Sequence, residues 1–134
     1  MFDRPISGFD LLHPKAKQQF IELYNDLSAR YRSGQIRTQF EPFETYRYPQ
    51  RQLIMIQKGT SKAKPFQSAH QYGLAVDFVP RRTEGGHTFW SWADSEPWGL
   101  LKEIAGHHGL AVPIDWDKAH VQHPLFDQIK TIIN

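Results

Sequence analysis

The sequence predicts an α+β domain in which a small, mainly antiparallel sheet is flanked by helices. Three observations point there. Apolar residues recur at helical spacing near the N-terminus, short runs rich in β-branched and aromatic residues follow, and the chain then runs helix, strand, helix and short strands.

The first helix is expected from about Pro14 to Arg32. Pro14 suits a first-turn position. Phe20, Leu23, Tyr24, Leu27 and Tyr31 give one apolar face, and Gly34 is placed to stop the helix. Residues 36–46 (IRTQFEPFETY) read as a strand, with Pro42 implying an edge position or a bulge. A short helix over Pro49–Gln57, closed by Gly59, is expected next, then a loop at 61–68. LAVDFV (74–79) reads as a central strand with one acid inside it. Residues 81–90 (RRTEGGHTFW) read as a turn-rich excursion. Ser95 can cap a helix running to about His108, with Gly109 as its stop. LAVPI (110–114) and AHVQ (119–122) are short strand candidates, and PLFDQIKTII is a last helix or tail.

The 134 residues fit one domain, 1–134, long enough to bury a core without disulfides. Hydrophobic residues make up 40% of the chain, too many for a disordered segment. The net charge is +2 and the longest basic run is Arg81-Arg82, which argues against nucleic acid as a partner. There are no cysteines, so disulfides, thiolate metal sites and Cys nucleophiles are excluded, and any metal must use His, Asp or Glu. No window approaches the ~20 apolar residues of a membrane span. The N-terminus lacks the apolar core of a signal peptide, so synthesis in the cytoplasm is expected.

Chemistry concentrates in two segments. The first is Ser68-Ala-His70-Gln-Tyr-Gly73-Leu-Ala75-Val-Asp77. His70 sits just before the strand and Asp77 within it. Gly73 lets the backbone turn back between them, and small Ala75 leaves room beside the turn. An acid inside an apolar strand is costly unless it is paired or binds a metal, and zinc is a good candidate for Asp77. Standing alone, an H-x6-D pair more often belongs to a capped turn or an Arg pair. The Ser, Gly and Ala at fixed offsets reverse that balance.

The second segment is Asp115-Trp-Asp117-Lys-Ala-His120-Val-Gln122. Asp117 and His120 can both reach one pocket. A catalytic zinc site uses three protein ligands and leaves one position open, and a nearby carboxylate that is not a ligand can take a proton from water. Upstream, Arg47 in Glu44-Thr-Tyr46-Arg47 could face the same cleft and hold a carboxylate or a developing oxyanion, or instead pair with Glu44 on the surface.

The pattern S-x-H-x-x-G-x-A-x-D, a later [DE]-x-x-H and an upstream Y-R…R-Q resemble the VanY-like D-Ala-D-Ala carboxypeptidases. These belong to the LAS-type zinc metallopeptidases, which also include phage L-alanyl-D-glutamate endolysins and the hedgehog domain. The resemblance covers roughly residues 40–122. It implies a hedgehog/D-Ala-D-Ala peptidase-like fold and a Zn2+ ion held by His70, Asp77 and His120. It implies further that Asp117 is the general base, that Arg47 orients or polarises the substrate, that Ser68 supports the site, and that Trp116 matches the family's aromatic there. Two positions depart from the pattern. Gln122 stands where relatives often carry an acid, and AVPID replaces a Gly-rich lead-in to the second motif.

The implied substrate is a peptidoglycan stem peptide, cut by a monomeric enzyme. The implied setting is a phage or prophage endolysin released through a holin to act on the cell wall. A non-catalytic, hedgehog-like zinc module is the alternative, disfavoured by the acid at Asp117. A wholly structural zinc site would need a fourth protein ligand, for which His87 and His123 are the candidates. His123 is expected to point away from His120 on a strand, and His13, His107 and His108 are expected to be ordinary helix-associated residues.

Overall fold

The computed structural model describes residues 3–61, 63 and 67–133. Its elements are α1 (Lys17–Arg32), β1 (Gln39–Glu44), α2 (Pro49–Gln57), a 3-10 turn (Ala69–Tyr72), β2 (Ala75–Glu84), β3 (His87–Trp90), α3 (Trp98–His107), β4 (His120–Gln122) and α4 (Leu125–Ile133). This is the expected α+β architecture. No helix among the described residues is long and apolar enough to cross a membrane.

β2 is the axis of the sheet. β1 pairs antiparallel along one edge, with Gln39 opposite Arg81 and Glu44 opposite Asp77. β4 and β3 share the other edge in tandem: Asp77 lies opposite His120, and Arg81 opposite Trp90. The register of β1 shifts between Pro42 and Glu44, so the proline sits at a bulge in an edge strand, where its missing N–H costs no ladder bond.

Side chains alternate across β2. Phe78 packs against Tyr24 of α1, with ring centroids 6.4 Å apart. Asp77 therefore faces the opposite side of the sheet. Phe20, Leu23 and Leu27 of α1 join Val76, Phe78, Leu101 and Ile104 in one core. Tyr31, placed by its spacing on the same face, is exposed in the last turn of the helix.

Three expectations are corrected. The excursion at 81–90 is a β-hairpin: β2 runs on to Glu84, Gly85 and Gly86 turn at φ 56° and 82°, and β3 returns with Glu84 opposite His87. Two successive positive φ angles are what a two-residue hairpin turn requires, so the Gly-Gly pair marks a hairpin and not a loop. The expected strand at 110–114 reduces to a single bridge between Ala111 and Gln122. α3 starts at Trp98, not at Ser95, because Pro97 occupies its N-cap. The expected loop at 61–68 lies partly outside the described residues.

Candidate metal centre

His70, Asp77 and His120 converge on the sheet face away from α1. One ligand atom from each lies within 4.8 Å of the others, and all three residues are buried. The sheet register brings Asp77 and His120 together as cross-strand partners. The 3-10 turn brings His70. Ser68 caps that turn by accepting from the His70 N–H at 3.3 Å, and Gly73 closes it at φ 68°. Gly73 is needed for a second reason. A Cβ there would lie 2.4 Å from the His13 backbone nitrogen, because residues 11–13 cross directly over the turn.

The imidazoles are oriented from behind. His70 Nδ1 donates to the Thr45 carbonyl at 2.8 Å, which turns Nε2 toward Asp77 Oδ1 at 3.1 Å. His120 Nε2 donates to Gln122 Oε1 at 2.8 Å, which leaves Nδ1 facing Asp77 Oδ1 at 3.5 Å. Each ring thus spends one nitrogen on an acceptor and presents the other, the arrangement that fixes a metal-ligating histidine. Ligands about 2.0 Å from a tetrahedral ion sit about 3.3 Å apart, so the spacings to Asp77 fit such an ion. Two imidazoles, one carboxylate and no sulfur suit a divalent metal of the zinc type. For His120, Gln122 supplies the acceptor with its amide oxygen.

Asp117 stands beside this group. Its Oδ2 is 3.9 Å from His120 Nδ1, and its side chain is partly open to solvent. A backbone turn sets the distance, since the His120 N–H donates to the Asp117 carbonyl at 3.2 Å. Burial and the neighbouring charge of Asp77 push the Asp117 carboxyl up, against the opposing pull of His120, His70 and Arg47. Asp77 moves the other way. Burial opposes its ionisation, but the charges and hydrogen bonds of His70 and His120 outweigh burial and hold it below the usual carboxylate range. For His120, burial favours the neutral ring, but the bond and charge of Asp77 outweigh this and raise it.

Arg47 lies next to the centre, with Nη2 3.9 Å from Asp77 Oδ2. It does pair with Glu44, at 2.9 Å, but that pair is buried and not on the surface. Glu44 is 1% exposed and bridges Arg47 to Arg51. Gln52 accepts from Arg47 Nη1 at 2.8 Å. Among the described residues, this clamp leaves the buried Arg47 Nε without a hydrogen-bond partner. The carbonyl of Thr45 and the side chain of Gln52 are the site's unforeseen members, and the sequence alone assigns Glu44 and Gln122 no supporting role in it. A backbone oxygen leaves no trace in composition, but Gln52 closes the Y-R…R-Q signature and Glu44 lies three residues before Arg47.

Two cavities meet at this point. One of about 500 Å³ is lined by Phe43, Arg47, Asp77, Trp92, Trp116 and Asp117, among others. A smaller one of about 120 Å³ lies toward Ser68, His70, His120 and Gln122, and shares Arg47, Trp116 and Asp117 with the first. The remaining histidines stay outside. His87 is exposed in β3. His123 Nε2 bonds Gln19 Oε1 at 2.6 Å, and His108 pairs with Asp26 at 2.7 Å. Among the described residues no fourth histidine or acid joins the three as a ligand group.

No protein-family profile and no curated protein sequence matches the chain. Among solved structures it is similar to the L-Ala D-Glu endopeptidase ChiX of Serratia marcescens, with a TM-score of 0.58 and 20% sequence identity. The match covers 96% of this chain and 92% of that one. A likeness at that identity speaks for the fold, a small antiparallel sheet flanked by helices.

Proposed function

We propose that this protein is a zinc-dependent peptidase that hydrolyses peptidoglycan stem peptides, acting as a single-domain monomer. The observation that carries the reading is the convergence of His70, Asp77 and His120 at a junction of two cavities, with Asp117 alongside and not among them. His70, Asp77 and His120 would hold the ion. When bound, zinc supplies Lewis-acid polarisation of a carbonyl and makes water acidic enough to attack near neutral pH.

The residues of the chain do the rest. Asp117 takes the proton of the attacking water and returns it to the departing amine as the C–N bond breaks and the C–O bond forms. Arg47, clamped by Glu44 and Gln52, holds its charge near the carbonyl oxygen as negative charge develops there. Ser68 acts through the 3-10 turn that carries His70. Cavity space on both sides of the centre favours cleavage within a peptide over removal of a terminal residue. An L-alanyl-D-glutamate endopeptidase is therefore preferred to a D-Ala-D-Ala carboxypeptidase, in keeping with what the similar structure is named for.

The test is to incubate the zinc-loaded protein with purified peptidoglycan and identify the released fragments by mass spectrometry. New amino termini at D-Glu support the endopeptidase. Release of free D-Ala alone would replace it with the carboxypeptidase, and intact peptidoglycan would refute the reading.

A further inference from the structure

The larger cavity has one wall that the chemistry above does not use. Arg51, Ile54, Met55 and Lys58 line it from α2 and its C-cap. Their spacing is i, i+3, i+4, i+7, so they form one helical face with a cation at each end and two apolar side chains between. Ile54 and Met55 are not part of the hydrophobic core, and Phe43 and Trp92 face the same space from across the cavity. Trp92 is 49% exposed, a large apolar surface left at the rim.

The two cations differ. Arg51 is buried and committed: its three nitrogens donate to Glu44 and to the Asp3 carbonyl. The Lys58 side chain is exposed and, among the described residues, makes no hydrogen bond or ion pair; the exposed Asp3 feels its charge weakly. Arg51 marks the end near the metal centre, through Glu44 and Arg47. Lys58 lies seven residues further, roughly 10 Å along the helix, the reach of about three extended residues.

Resting on the peptidase reading, the geometry points to a subsite for a short peptide with a free terminal carboxylate. The peptide's aliphatic parts lie between Ile54–Met55 and Phe43–Trp92, and Lys58 captures the carboxylate about three residues from the scissile bond. The occupant follows from charge complementarity. A stem whose terminal carboxyl is amidated or consumed in a cross-link offers Lys58 nothing, so the enzyme selects stems with a free terminal carboxylate, and Lys58 is the residue that determines this.

The experiment uses the full chain and one acetylated tetrapeptide, L-Ala–D-Glu–L-Lys–D-Ala joined through the D-Glu side-chain carboxyl, as the free acid and as the C-terminal carboxamide. Binding is followed by tryptophan fluorescence in metal-free protein, which cannot hydrolyse the probe, and kcat/KM is then measured with zinc. The acid is expected to bind about tenfold more tightly than the amide, the worth of one modest charge pair. In Lys58→Met the two should bind within about twofold of each other, and Lys58→Arg should restore the preference. A preference that survives in Lys58→Met overturns the subsite while leaving the peptidase reading intact. Binding of neither probe by the wild-type chain also overturns it, and loss of hydrolysis as well removes the peptidase reading with it.

Discussion

The two halves of β2 share one backbone and obey different electrostatics. From Ala75 to Pro80 every residue is buried; from Arg81 to Glu84 the strand emerges into a hairpin. The inner half carries Asp77, whose charge is matched by two histidines at 3.1 and 3.5 Å, with Arg47 at 3.9 Å. The outer half carries Arg82, paired with Glu96 at 2.5 Å, and Arg81, stacked 4.5 Å above the Trp90 ring. A charge in the inner half must be compensated on the spot, because desolvation there costs several kcal/mol. A charge in the outer half can turn to water, and its pairing is worth at most about 1 kcal/mol. The proposed metal centre sits in the half where compensation is obligatory.

The comparison breaks most visibly at the ligands. A His70→Ala/His120→Ala double variant is expected to lose stoichiometric zinc, as measured by metal analysis after dialysis, while the single-sided hairpin variant His87→Ala keeps it. Zinc retained in the double variant would remove the metal centre from the inner half.

A second expected effect lies beside the ligands. Asp117→Asn keeps size and hydrogen bonding but cannot accept a proton. It should retain zinc and lose activity by ~10²-fold or more. Zinc content and hydrolysis rate on one preparation decide between outcomes: lost zinc makes Asp117 a ligand, and full activity makes it a bystander.

The glycine turns at the two ends of the strand give a third contrast. Gly73 precedes the inner half and Gly85 follows the outer half; both have positive φ, at 68° and 56°. Alanine at Gly85 meets nothing within 4 Å, so only the backbone conformation is penalised, by about 1 kcal/mol. Alanine at Gly73 meets backbone at 2.4 Å and should cost roughly 3 kcal/mol. Chemical denaturation of the two variants measures the difference. Equal losses would show that residues 11–13 yield to the turn.

The same division explains what the sequence reveals. The inner half is legible because an acid in an apolar strand, preceded by Gly73 and His70, has few cheap explanations. α2 matches its expected bounds, Pro49–Gln57, since Pro49 and Gly59 bracket it. The ends of β1 and β2 are less legible, because pairing partners far along the chain decide them: β2 extends to Glu84 only because β3 returns to it. The clamp on Arg47 is hidden for another reason. Sequence spacing puts Glu44 within reach of Arg47 but carries no information on burial, and burial is what turns a surface pair into a support.

The smallest expected effect lies in the outer half and concerns pH. The bond from Arg82 holds the Glu96 carboxyl below its ordinary value, against the raising influence of burial. A lowered folded-state value means that the unfolded chain takes up the proton more readily, so stability rises with pH in this window. The contribution is fully present above the ordinary glutamate value of about 4.3 and is lost as pH falls through the lower folded value. Arg82 is about one third exposed, so water screens the pair and the amount is at most about 1 kcal/mol. Denaturation of wild type and Glu96→Gln at pH 7 and at pH 3 reads it directly. The variant should be slightly less stable at pH 7, and the gap should shrink on acidification as the wild type loses its own pair. Asp26, held low first by its bond from Arg30 and then by His108, contributes a decline of the same sign in both proteins and cancels in the difference. A gap that stays constant or widens toward pH 3 would mean that Glu96 acts through packing and not through its charge.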